Sequence, residues 1–427
     1  MEFINHTPFP ALAFEGIEPN DQAFHVVVLR QTLSWEENGI LDYHSTQYPL
    51  CEEDEFFGAI NVSGVRQESD LCHFKPRCDV IVNAHAHAPG GKAVRRLAVA
   101  MRLFSADGHC LINKQLMVTG ERSFVETSGG QLVSSAIQMA TLGLVRSNSW
   151  QLTEPEPFVE LPLRAEYSFG GGCRIDSHDV AARKIGREFT LSEKKRAQHP
   201  DGQDNAPVAH QVDERNPLGV GFSTSWYLSA KALTEVKAPR IETAAASITA
   251  GIFWDAVHKN GAWPEPASLG IRFKGHPERR KLAGTIDDAF INSERWLPID
   301  FDFSIWNAAQ EDQQIEFLRG GEIIELENLC TFTTPGAQRG NDGVVRLKLT
   351  LPTHECSLLL RHEKGHIFSA IMQIDTLIIE PELQQVSIVW RAAFDKAASN
   401  PLRKIEVYSH PVNERPHLEI DTEFNHA

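Results

Sequence analysis

Long apolar runs are missing from this 427-residue chain. A membrane-spanning helix needs about 20 consecutive apolar residues. The most apolar stretch, Leu132–Val145, is short and broken by Ser134, Ser135, Gln138 and Thr141. The opening MEFINHTPFPALAF has no basic start and no uninterrupted apolar core, so it does not read as a secretory signal. Cysteine is sparse: Cys51, Cys72, Cys78, Cys110, Cys173, Cys330 and Cys356 are scattered and odd in number. That pattern suits reduced thiols rather than a disulfide framework. The expectation is a soluble, cytoplasmic protein that does not engage a membrane.

Positive charge is also short, with 41 Lys and Arg against 57 Asp and Glu and a formal charge of -16. Sequence-independent nucleic-acid binding needs a basic surface that displaces counterions, so this balance argues against a nucleic-acid partner. An acidic chain favours basic partners. Enzyme fingerprints are absent too. There is no Gly-x-Ser-x-Gly elbow and no Gly-Lys-Ser/Thr phosphate loop, and Gly170–Gly172 lacks dinucleotide spacing. No internal repeat or low-complexity tract is present.

What remains is the composition of a folded globular protein, 42% hydrophobic and 23% charged, patterned mostly as strands. Phe24–Leu33 and Cys110–Thr119 read as strands, the second entered through an Asp107-Gly108 turn. Val80–Val82 and the alternating Val94–Leu103 flank Ala88-Pro89-Gly90-Gly91 and predict a hairpin. Phe158–Ser168 alternates as well. Ile315–Leu318, Glu322–Leu326, Val344–Leu351, Ser357–Arg361, Phe368–Ile379 and Val386–Phe394 continue the series, the last two joined by Glu380-Pro381-Glu382. Helical patterns are few: Gly129–Arg146, Ala244–His258 and a short signal within Asp300–Asp312. The predicted fold is mainly β, with β-sandwich-like sheets and short connecting helices, α+β remaining open.

Residues 1–173 and 216–427 are expected as two β-rich domains, or one continuous unit. Between them 174–215 is polar, with Lys194, Lys195 and Arg196 together, and reads as a long, partly mobile excursion with at best one short helix. Ordering so polar a segment costs roughly 1–2 kcal/mol per residue with little burial in return. This basic cluster is the candidate partner contact on an otherwise acidic chain.

Two groups of side chains invite a metal. His85-Ala86-His87 places two imidazoles on one strand face, as some metal-dependent hydrolases do, but no further ligand can be placed from spacing. Cys72, His73 and Cys78 have no matching second pair. The expectation is no metal, no cofactor and no catalytic residue, with His85 and His87 forming a histidine pair at a strand end.

An ordered set of short motifs carries a resemblance. It begins with Thr7-Pro8-Phe9, then Lys75-Pro76 with Asp79, Pro89-Gly90-Gly91, and Gly120-Glu121-Arg122. Pro155–Phe158, Gly170-Gly171 and Asn216-Pro217 with Gly219 and Gly221 follow. Gly284-Thr285, Trp296–Asp302 with Pro298 and Asp300, and Trp390-Arg391 complete it. From Thr7 to Arg391 this resembles the bacterial domain-of-unknown-function family 2169, whose members look like effector adaptors of the type VI secretion system. The sequence departs from the family in the insertion-like Ser128–Ser149 and in Glu278-Arg279-Arg280, where the family carries a tryptophan–arginine signature.

The resemblance implies an adaptor or chaperone, not an enzyme. It would bind a toxic secretion effector and load it onto a PAAR-type tip or VgrG spike, with the Gly and Pro motifs setting turns and close strand contacts. A metal-dependent hydrolase built on His85 and His87, and a structural or carbohydrate-binding β protein, are the competing readings.

Overall fold

The computed structural model describes residues 1–127, 149–185, 189–199, 206–396 and 399–412. The fold is mainly β, as expected, and three sheets dominate it. The largest has seven strands. Ala11–Ile17, Ala23–Trp35, Gln385–Asp395, Gln373–Glu380, Cys78–Val82 and Gln314–Ile315 lie side by side, and Leu41–Tyr43 adds to Ala23–Trp35. Cys78–Val82 runs parallel to Gln373–Glu380, whereas the other neighbours are antiparallel. A six-stranded sheet is centred on Arg96–Phe104 between Cys110–Thr119 and Ile323–Glu327. A four-stranded sheet orders Glu2–Asn5, Leu402–Pro411, His354–His362 and Ile367–Ile371.

Strand alternation decides what each face of the large sheet touches. Val27, Leu29, Leu33 and Trp35, with Val80, Val82, Leu377, Ile379, Val386, Ile388 and Trp390, point into the main apolar core. Met101, Leu103, Leu116 and Val118 of the six-stranded sheet and Leu358, Leu360, Ile405 and Val407 of the four-stranded sheet meet them there. The core thus draws on both ends of the chain, so it cannot close until strands far apart in sequence have paired. The alternate residues of the same strands face the other way, and several are charged: Arg30, Asp79 and Arg391. A second apolar cluster joins Phe124, Trp150, Phe169 and Leu228 to Phe253 and Val257 of the helix Ala250–Lys259. That helix is N-capped by the Thr249 hydroxyl and ends at left-handed Asn260.

Several local expectations hold. Cys110–Thr119 is a strand over its full predicted length, and Glu380-Pro381-Glu382 joins the strands Gln373–Glu380 and Gln385–Asp395 as a hairpin. The hairpin predicted around Pro89-Gly90-Gly91 does not form. Cys78–Val82 pairs within the large sheet, while Arg96–Phe104 pairs with Cys110–Thr119 and Ile323–Glu327. His85–His87 instead pairs with Glu160–Pro162. A Gly-containing turn between two apolar runs satisfies the local signal for a hairpin, but long-range pairing buries more surface.

Phe158–Ser168 is strand only at Glu160–Pro162, followed by a 3-10 turn at Ala165–Tyr167. Phe368–Ile379 divides between two sheets at Met372. The polar segment expected as an excursion contains the strand Pro207–Val212, antiparallel to Gly172–Asp176. Ile175, Ala181 and Ala209 pack between them, and Phe189 stacks on Trp226 with ring centroids 4.7 Å apart. Its few apolar residues are placed to meet one another, which composition alone does not reveal. The helix expected at Gly129–Arg146 lies outside the described residues.

Glu406 in the four-stranded sheet yields a pH prediction. Burial opposes its charge, but Arg361 Nε at 2.6 Å and Lys404 Nζ at 2.9 Å outweigh that and bring its carboxyl down to about 2. His6 Nε2 lies 3.5 Å away, just past the end of the neighbouring strand. A depressed carboxyl contributes stability above its unfolded pKa of about 4.3, and that contribution fades as pH falls towards 2. In urea melts between pH 5 and about 2.5, wild type is expected to lose stability more steeply than Glu406→Gln. Parallel curves would refute the assignment.

Candidate functional site

The motif residues meet one another in separate clusters. Beneath the outward face of the large sheet, Lys75 Nζ donates to Asp79 Oδ2 at 2.9 Å and to Thr376 Oγ1 at 2.8 Å. Thr376 donates to Asp375 Oδ1 at 2.9 Å, and Arg391 Nε donates to Asp375 Oδ2. Arg391 Nη1 then donates to the Cys72 carbonyl at 2.7 Å. Asp79 accepts three further bonds, from Asn307 Nδ2 and the backbone amides of Ala308 and Ala309. Burial works against the Lys75 ammonium, yet the Asp79 carboxylate and its neighbours hold it above its ordinary pKa. Pro76 lies half-buried beside this chain of bonds, and Trp390 points into the main core, its Nε1 donating to Gln31.

Gly120 crosses beneath Glu156, so the motif at 120–122 rests on the motif at 155–158. Arg122 is buried and pairs with Glu242 at 2.6 Å. Gly170 and Gly171, both at positive φ, lie against Asn216 and Gly219, and Phe169–Gly170 pairs in parallel with Val220–Gly221. Asn216 Nδ2 donates to the carbonyls of Ala165 and Phe169 at 2.8 and 2.9 Å. Pro217 is half-buried beside it. Pro89-Gly90-Gly91 forms a short 3-10 turn with Gly90 against the Arg339 guanidinium. Arg279 is fully buried and forms a forked pair with Glu68, both bonds 2.6 Å.

Gly284 packs on Pro298 and Asp300. Asp300 accepts from the backbone and hydroxyl of Thr285, and those bonds hold its carboxyl below the usual range. They close a surface loop over 285–300. Asp287 caps the helical turn Asp288–Ile291 within it, and Asp21 and the Pro19 carbonyl tether Trp296 and Arg295 from outside. On this braced loop Ile286 and Ile291 are each 65% exposed, Ile299 68% and Trp296 75%. Trp296–Asp302 was legible as a motif; that its tryptophan faces solvent was not.

His85 and His87 lie half-buried on one face of their short strand. His85 Nδ1 shares a hydrogen bond with Glu160, and His87 Nε2 sits 3.1 Å from Glu382 Oε1. Sequence reasoning missed Glu160 and Glu382, since neither stands at a ligand spacing from the histidine pair. Among the described residues, Cys72, His73 and Cys78 form no comparable group. Burial pushes the Cys51, Cys330 and Cys356 thiols up to about 12, far from nucleophilic thiolates. Lys194 and Lys195 are exposed and Arg196 half-buried on the helix Glu193–Ala197, which Ser192 caps. Among the described residues, no helix is long and apolar enough to cross a membrane.

Residues 20–391 match the profile of a family described as "Uncharacterized protein conserved in bacteria (DUF2169)". No curated protein and no solved structure matches the chain.

Proposed function

The chain belongs to this bacterial family, and from that premise we propose that it is a cytoplasmic adaptor for a secreted effector. It holds the effector and presents it to the PAAR-type tip or VgrG spike of a type VI secretion system. The exposed apolar loop carries this reading. Several large apolar side chains exposed on one short loop suit a protein contact, and tryptophan is among the residue types most enriched at energetic centres of interfaces. Bracing by Asp300 and Asp21 lowers the entropy lost when a partner docks.

Charge supports it further. The net charge of -16 favours a basic effector. Lys194, Lys195 and Arg196 form a local basic contact for an acidic part of the same assembly.

Co-purification of the full chain from its native host, with identification of the proteins recovered, tests the proposal. Trp296→Ala combined with Ile299→Ser is expected to reduce recovery of the effector at least tenfold, since a hot-spot residue contributes about 2 kcal/mol or more. Exposed positions of this kind change stability by within about 0.5 kcal/mol, so the melting curve stays near wild type. Undiminished recovery by the folded variant would overturn the assignment of this loop. Failure to recover an effector, tip or spike protein with wild type would overturn the adaptor reading itself.

A further inference from the structure

We propose that His85, His87 and Glu382 form a binding site for one divalent first-row transition-metal ion, with Glu160 as the carboxylate that orients His85. Residues two apart on a strand share a face, so both imidazoles leave the same side of His85–His87 while Ala86 is buried on the other. In the antiparallel partner Glu160–Pro162, Glu160 stands directly opposite His87 and therefore on that same face. Glu382 enters from the turn that connects Gln373–Glu380 to Gln385–Asp395. One ligand atom from each of His85, His87 and Glu382 lies within 4.8 Å of the others. Tetrahedral ligands at about 2.0–2.1 Å from zinc are about 3.3 Å apart, so small side-chain rotations complete the site.

The surroundings aim these groups. The backbone amide of His85 donates to Glu382 Oε1 at 2.7 Å, which fixes the carboxylate beside both imidazoles. Glu160 bonds His85 at Nδ1. With the proton held on Nδ1, the lone pair sits on Nε2, and a carboxylate–histidine pair of this kind raises the ligand's basicity. The two rings are stacked, 23° apart in plane. Side-chain exposure is 13% for His87 and 29% for both His85 and Glu382, enough for an ion to enter. Pockets of about 180 and 300 Å³ flank the cluster and share Glu382, which leaves room for water in a fourth position. Two imidazoles and one carboxylate suit zinc, cobalt, nickel or ferrous iron, whereas magnesium and calcium require more oxygen ligands. A bound ion would tie the strand His85–His87 to the hairpin of the large sheet.

The test uses tag-free, full-length protein stripped with EDTA and titrated calorimetrically with Zn²⁺, with Mg²⁺ as comparison. Wild type is expected to bind one zinc and no magnesium. His87→Ala and Glu382→Gln are expected to abolish that event, and Glu160→Gln to weaken it about 10–100-fold while leaving the stoichiometry at one. Co²⁺ loading, read from its visible d–d absorption, reports coordination independently of heat. Metal-free melting curves establish that each variant is folded, and His87→Gln replaces any that is not. Zinc binding equal in wild type and in folded His85→Ala/His87→Ala protein would overturn the proposal, as would a wild type that binds none. The result is independent of effector recovery, which does not involve these residues.

Discussion

Asp79→Ala is expected to destabilise the protein by at least about 5 kcal/mol, enough to leave most of it unfolded or insoluble. Asp79 is completely buried and satisfies four donors: Lys75 Nζ, Asn307 Nδ2 and the amides of Ala308 and Ala309. Breaking a buried ion pair from one side costs about 3–5 kcal/mol, because the partner charge stays in low dielectric without compensation. Each stranded backbone donor adds about 1–3 kcal/mol of desolvation. Lys75→Met should be milder, since it removes the charged donor and leaves Asp79 its amide partners. Asp79→Asn should fall between them, keeping the shape and part of the accepting capacity while losing the charge. Urea midpoints of the three variants give the order. An Asp79→Ala protein as stable as Lys75→Met would show that the bonds to Ala308 and Ala309 contribute little. If it cannot be purified, Asp79→Asn against Lys75→Met still decides the question.

Gly120→Ala is expected to cost more than about 3 kcal/mol, above the usual range for an overpacked site. A Cβ there would stand 1.6 Å from the Glu156 carbonyl oxygen and 2.7 Å from its carbon. Both are backbone atoms, and both segments are held in place: the Gly120 N–H donates to the Arg95 carbonyl and the Glu156 N–H to the Glu121 carbonyl. No rotamer change relieves the contact, so the segments must separate. Gly91→Ala is the control. Gly91 has φ +67°, but a methyl group added there would meet nothing within 4 Å. That variant therefore carries only the left-handed penalty of about 1–2 kcal/mol. Chemical denaturation of both variants separates close approach from backbone conformation. A Gly120→Ala variant no worse than Gly91→Ala would contradict the packing described for the 120–122 and 155–158 motifs.

These two residues, Asp79 and Gly120, mark how far the sequence could be read. Gly120 and Glu156 both stand in recognisable motifs, yet nothing in their spacing says that one rests on the other. The same holds for Gly170 with Asn216, Gly284 with Asp300, and Asp79 with Arg391 through Lys75, Thr376 and Asp375. Lys75, Asp79 and Arg391 are motif positions, but a buried charge is invisible in one sequence because charged residues ordinarily mark solvent. The histidine pair was legible and its surroundings were not, since Glu160 and Glu382 arrive from other parts of the chain.

The sequence by itself determined the elements whose causes are local. Period-2 alternation marked strands such as Cys110–Thr119, because a strand with one buried face must alternate. Glu380-Pro381-Glu382 marked a hairpin because the turn and both strands are contiguous. The ordered motifs identified the family. Only the tertiary structure decided partners between distant strands: that Cys78–Val82 lies beside Gln373–Glu380, and that His85–His87 pairs with Glu160–Pro162. It also decided which face of each strand carries charge beneath the sheet, and that Trp296 faces solvent. The reason is physical. Alternation fixes that a strand has two unlike faces, but burial of surface summed over the whole chain decides what lies against each of them.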